Sequence, residues 1–97
     1  MVVYVVGQLE IFDPERYKSY LAGFMPIFQR HQGELLATTA GETTIVEGDW
    51  GKPKTVIMKF PSRANAESWF ADPDYRALAQ HRHASATCNL AIIDGLD

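Results

Sequence analysis

A single cysteine, Cys88, stands among the 97 residues, so no internal disulfide can form and no zinc site built on several thiolates is possible. Long hydrophobic runs are missing too. The opening apolar stretch, Val2 to Val6, is far short of the roughly 20 residues of a membrane span. It also lacks the preceding cations and the small-residue cleavage site of a secretory leader. Cations are not in excess: 9 Lys and Arg against 12 Asp and Glu leave a net charge of −3. Such a chain is a poor nucleic-acid binder, because counterion release needs clustered cations. There is no HExxH, no HxH on a strand, no GxSxG elbow and no glycine-rich phosphate loop. The expectation is a soluble, cytoplasmic protein with no metal, no cofactor, no nucleic acid and no membrane partner.

What is present is a folding composition, 46% hydrophobic and 11% aromatic. The length suits one domain, residues 1–97. A domain of this size buries somewhat over 60% of its unfolded surface, so a second copy would add useful burial.

Residues 2–11 alternate with period two, placing Val3, Val5, Leu9 and Ile11 on one face and Val2, Tyr4, Val6, Gln8 and Glu10 on the other. Asp13-Pro14-Glu15 opens a helix, with an acidic cap, a proline where its missing N–H costs nothing, and a carboxylate at the positive end of the dipole. At 100° per residue Tyr17, Leu21, Phe24 and Phe28 share its stripe, with Tyr20 and Ile27 at the edge and Pro26 on the far side as a kink. Gly33 reads as the stop. Residues 34–47 alternate weakly, as one bent strand or a hairpin-like pair, and Gly48 to Pro53 is a turn. Thr55–Phe60 is a strand. Ser62 caps a helix carrying Trp69 and Phe70, Asp72-Pro73-Asp74 restarts it as far as about Ala86, and Cys88–Asp94 is the last strand.

Strand, helix, strand, strand, helix, strand is the ferredoxin-like plan, an α+β sandwich whose antiparallel sheet has helices on one face. Its other face, carrying Tyr4 and Val6, needs a cover, and a second copy of the chain is the economical one. Glu47-Gly48-Asp49-Trp50, Val56 through Ser62, Asp72-Pro73-Asp74-Tyr75, Arg82 and Ile93-Asp94-Gly95, with Tyr4, Asp13-Pro14, Tyr17, Tyr20 and Gly33 before them, resemble the domain-of-unknown-function family numbered 1330. The resemblance implies a ferredoxin-like monomer of the dimeric α/β-barrel superfamily, and no settled activity. Such sequences often carry an arginine near Thr38-Thr39; that charge is missing here.

Four residues stand out as candidate ligand contacts: Arg82, Tyr75, Trp50 and Tyr17. Leu78, Ala79, Arg82 and Ala86 fall within about 60° of Tyr75 on the last helix, so Arg82 lies on an apolar stripe and needs an anion. That anion is either a carboxylate of the sheet, such as Asp94 or Glu10, or a small anionic or aromatic ligand. Structural ion pairs are the commoner case. Trp50, in a glycine-flanked turn, either gates a pocket or plugs the end of a dimer core. His81 and His83 are about 200° apart and cannot share a metal. Cys88, with no base beside it in sequence, reads as an inert thiol.

Two functions fit these features. One is a homodimeric module that binds a small anionic or aromatic metabolite between sheet and helices. The other, implied by the superfamily, is a cofactor-independent monooxygenase- or isomerase-like enzyme. There Arg82 would stabilise an oxyanion, Tyr75 orient the substrate, Tyr17 line the pocket, and His81 or Glu10 act as base.

Overall fold

The computed structural model describes residues 1–96. Its elements are β1 (Val3–Ile11), α1 (Pro14–Arg30), β2 (Glu34–Ala37), β3 (Lys54–Phe60), α2 (Arg63–Ala71), α3 (Pro73–His83) and β4 (Ala86–Asp94). The strands form one antiparallel sheet in the order β2-β3-β1-β4. This is the ferredoxin-like arrangement, with α2 and α3 together as its second helix. No helix of the described residues is long and apolar enough to cross a membrane.

Register follows the sequence alternation. Val5 stands opposite Met58 on one side and Ile92 on the other, and Leu9 opposite Lys54 and Cys88. Paired residues share a face, so Val3, Val5, Leu9, Met58 and Phe60 form one buried floor. Helix α1 lays Tyr17, Tyr20, Phe24 and Phe28 on that floor. The middle of the core is a set of aromatic edges and faces. Trp69 packs 5.5 Å from Phe60, 5.4 Å from Phe28 and 4.1 Å from Tyr75, centroid to centroid. Each such pair adds roughly 0.5–1.5 kcal/mol beyond its buried area.

The caps work as their residue types dictate. The Asp13 carboxylate accepts the Arg16 N–H at 3.2 Å. Ser62 Oγ accepts the Asn65 N–H at 3.2 Å. Asp72 accepts the Asp74 N–H at 2.8 Å, which lets Pro73 restart the helix in a new direction. At the end of α1 the Gly33 N–H donates to the Phe28 carbonyl and the Gln32 N–H to the Gln29 carbonyl, a Schellman closure. The left-handed residue there is Gln32, with φ 63°. Gly33 is needed for a different reason: a Cβ on it would lie 2.3 Å from the Phe28 ring.

Several boundaries depart from the sequence expectation. Leu21 is half-exposed, and Tyr20 takes the buried place instead. Helix α3 stops at His83 and β4 begins at Ala86, because Ser85 fixes the turn between them. Ser85 is fully buried; its hydroxyl donates to the His81 carbonyl, and its own carbonyl accepts the Phe12 and Asp13 N–H groups. Only Glu34–Ala37 of the 34–47 stretch is strand. Residues 38–53 form a long irregular connection, of a length that compact domains seldom use without purpose.

Candidate ligand-binding site

Between the sheet and the helices lies a cavity of about 70 Å³, room for about five to seven water-sized groups. Every layer of the fold supplies wall: Leu9, Val56, Met58 and Cys88 from the strands, Tyr17, Tyr20 and Phe24 from α1, Trp69 from α2, and Tyr75 and Arg82 from α3. Leu35, Thr38 and Thr39 close the side where β2 gives way to the long connection. The wall is apolar for most of its area and polar at one cluster.

That cluster centres on Arg82. Its side chain is 9% exposed. The guanidinium carbon lies 5.7 Å from the centroid of the Tyr20 ring, within cation–π range. One terminal nitrogen reaches the His83 ring at 3.5 Å, the limit of a hydrogen bond. The buried Nε has no partner. Beside it the Tyr20 and Tyr75 hydroxyls share a buried 2.7 Å hydrogen bond. Two hydroxyls sharing one bond use one of their two protons, so the pair retains a donor.

No carboxylate among the described residues pairs with Arg82. The expected ion pair with Asp94 or Glu10 is not formed, and strand geometry explains why. Glu10 stands opposite Thr87 on the outer face of the sheet. Asp94 lies six residues beyond Cys88 at the far end of β4, about 20 Å away at the rise of a strand. It pairs there with Arg63. Arg82 therefore holds a buried charge without a countercharge, a situation that costs several kcal/mol unless something else supplies the anion.

Burial favours the neutral form of three other groups of the wall, Tyr17, Tyr20 and Cys88. Burial pushes the Tyr17 hydroxyl above its usual range, against a hydrogen bond with Thr39 and the pull of Arg82. Burial also raises the Tyr20 hydroxyl, and the neighbouring Tyr75 adds to the effect. The Cys88 thiol is raised by burial and drawn part of the way back by Arg82. Arginine keeps its charge in any protein environment. The cavity thus carries one positive charge and several neutral hydroxyls.

Among the described residues two buried side-chain donors lack an acceptor, Trp69 Nε1 and Arg82 Nε. Both belong to residues lining this one cavity. Buried donors are nearly always satisfied, so two orphans on residues around one space set this cavity apart from the rest of the core.

Of the residues singled out from sequence, Tyr17, Tyr75 and Arg82 meet here. Trp50 does not. Its indole N–H donates to Thr55 Oγ1 of β3 at 3.2 Å, and it stands half-exposed with Thr43 on the long connection. The neighbouring Gly51 passes so close to Gln8 and Asn89 of the outer sheet face that a Cβ would lie 2.4 Å from the Gln8 amide oxygen. Neither suggested base lines the cavity: Glu10 is exposed, and His81 Nδ1 accepts a bond from Arg16 Nε at 3.2 Å. Tyr20, Trp69, Thr39 and Cys88 join the site without having been singled out for it. Tyr20 sat at the edge of the α1 stripe, Trp69 read as plain core, and the register that brings Cys88 inward is a property of the folded sheet.

The match that decides the family runs over residues 2–96, to the domain of unknown function DUF1330. The chain belongs to the DUF1330 family. Solved structures place this DUF1330 chain among ferredoxin-like proteins. A protein of unknown function from Rhodopseudomonas palustris, RPA0582, superposes with a TM-score of 0.80 at 20% identity, over 99% of this chain and 83% of that one. A mutant of SnoaB, a cofactor-independent oxygenase from Streptomyces nogalater, gives 0.69 at 17% identity, over 99% and 94%. A dimeric ferredoxin-like protein of unknown function from Jannaschia sp. CCS1 gives 0.66 at 11% identity, over 98% and 100%. At these identities the likeness is one of fold. No match to a curated protein was found.

Proposed function

We propose that the protein binds a small monoanionic metabolite, a carboxylate or enolate with an aromatic or compact apolar body, in the cavity between sheet and helices. The observation that carries this reading is the buried Arg82 guanidinium, with an unpartnered Nε and no carboxylate beside it. One positive charge calls for one negative charge. The Trp69 N–H and the spare hydroxyl proton of the Tyr20–Tyr75 pair offer further donors, and the remaining wall suits a ring or short branched chain. A thermal-shift screen against small aromatic and keto acids tests it. A ligand at 100 times its dissociation constant adds about 2.7 kcal/mol, a rise on the order of 10–20 °C in melting temperature for a chain of this size. No shift with any acid of this class removes the reading.

The SnoaB likeness supports a second reading, a cofactor-independent oxygenase. Such chemistry needs a group that takes a proton from the substrate. The cavity lining offers only tyrosines, a thiol and arginine as titratable groups, and burial raises the pKa of Tyr17, Tyr20 and Cys88. Binding is therefore preferred to turnover. Consumption of dioxygen in the presence of a stabilising acid would reverse that preference.

A homodimer through the helix-free face completes the proposal. Ile93 is 49% exposed there, beside the half-buried Tyr4 and Val6. The Jannaschia protein of the same fold is dimeric. Light scattering at micromolar concentration should give twice the monomer mass of 10.9 kDa; a monomer mass would refute the dimer.

A further inference from the structure

Cys88 enters the Arg82 cavity from the sheet. It stands opposite Leu9 on the inner face, half-buried, and its sulfur makes a distant contact, 3.7 Å, to the neighbouring Asn89 carbonyl. Arg82 is near enough to draw the thiol's pKa down against the larger effect of burial, and both residues share the cavity wall with Tyr17. A nucleophile and an unpaired cation thus share one small space. Cys88 is the only thiol in the chain.

We propose that Cys88 is a covalent modification site for small electrophilic carboxylates, which Arg82 holds by their anion while the Cys88 sulfur attacks the adjacent carbon framework. The inference rests on the carboxylate-binding reading given above. Burial keeps most of the thiol protonated at neutral pH, so a neutral reagent meets a poor nucleophile. A carboxylate docked on Arg82 is different. It is held within a cavity of about 70 Å³, and the reaction becomes effectively intramolecular. The fitting class is the short α,β-unsaturated acid. The sulfur bonds to the β-carbon, the π pair shifts toward the carboxylate that Arg82 faces, and the thiol proton ends on the α-carbon with nothing leaving. A 2-halo acid reacts at the same sulfur by displacement: the C–S bond forms, the C–halogen bond breaks, halide departs with its electron pair and the thiol proton goes to water.

The test labels the native protein near neutral pH with iodoacetate and, separately, iodoacetamide, which differ in charge but alkylate alike. Intact mass gives the two rates, and their ratio is divided by the same ratio for free cysteine. We expect the normalised preference for iodoacetate to be about tenfold or more, the scale of one charge-assisted hydrogen bond. Cys88→Ser should give no adduct. Arg82→Gln should return the ratio to that of free cysteine, and unreactive propionate should slow iodoacetate labelling of the unaltered protein, a readout that needs no variant. A normalised ratio near one overturns the inference. Propionate binding, followed in parallel by amide chemical shifts, separates the causes. Binding without labelling preference refutes the Cys88 site alone; absence of binding refutes the carboxylate reading as well.

Discussion

Replacing Arg82 by methionine separates a structural cation from a ligand-binding one. Methionine keeps a long unbranched side chain beside the Tyr20 ring and removes the guanidinium. The losses are the cation–π contact with Tyr20, at 5.7 Å to the ring centroid, and the marginal contact to His83. Together these amount to about 1–2 kcal/mol for a largely desolvated site. The gain is relief of a buried, unpartnered donor, worth about 1–3 kcal/mol, on a charge with no countercharge. The balance falls between about 1 kcal/mol against the variant and about 2 kcal/mol in its favour. A gain of 1 kcal/mol raises the melting temperature of a domain this size by roughly 4–8 °C. Circular dichroism melts of the two ligand-free proteins should therefore show Arg82→Met no more than about 8 °C below the parent and as readily above it, while the thermal shift from any stabilising acid disappears. A drop of about 3–5 kcal/mol would refute the reasoning, because that is the signature of a severed buried ion pair.

Gly33→Ala should destabilise by about 1–3 kcal/mol in urea unfolding, since its methyl would meet the fully buried Phe28 ring at 2.3–2.6 Å. Gln32→Gly should act oppositely and raise stability by about 1 kcal/mol, because Gln32 holds φ 63° at an exposed position. Asp72 is held down to about 2 by the His31 ring, with the Asp74 N–H and Arg30 assisting. A carboxyl lowered in the folded state contributes stability above its unfolded value near 4 and loses it as pH falls toward 2. Asp72→Asn should therefore flatten the acid limb of the melting-temperature profile between roughly pH 4 and 2 and lower stability above it; an unchanged limb counts against the contact. A double-mutant cycle of Tyr20→Phe and Tyr75→Phe should give a coupling of about 1 kcal/mol from their 2.7 Å hydrogen bond.

Local chemistry made most of the elements legible. Strand alternation in Val3 to Ile11 set which residues would be floor, because a period of two leaves no choice once one face is buried. The Asp13, Ser62 and Asp72 caps were readable because short polar side chains before a helix have one good use. The end of α1 was half readable. Glycine at position 33 did mark the stop, but its reason is the Phe28 ring pressing on it, a tertiary fact that no local rule contains. The 34–47 stretch misled because weak alternation needs a partner strand to become a ladder, and only Glu34–Ala37 pairs with β3, its register already shifting between Leu35 and Ala37.

The site was legible in its cation and not in its surroundings, and the difference is one of range. Helical phase put Arg82 among Tyr75 and Ala79, a relation within one helix that the sequence carries directly. Whether a carboxylate meets it depends on strand register and direction. Antiparallel pairing of β1 with β4 sends Glu10 outward and Asp94 to the far end, and the same pairing brings Cys88 inward opposite Leu9. One register thus removes both expected countercharges from Arg82 and delivers a thiol in their place. The unpaired cation and the thiol on the same cavity wall are therefore a single consequence of the sheet. A one-residue slip of β4 would exchange Cys88 for Thr87 or Asn89 on the inner face. Testing Arg82 and Cys88 together asks whether the register serves a ligand or only the packing.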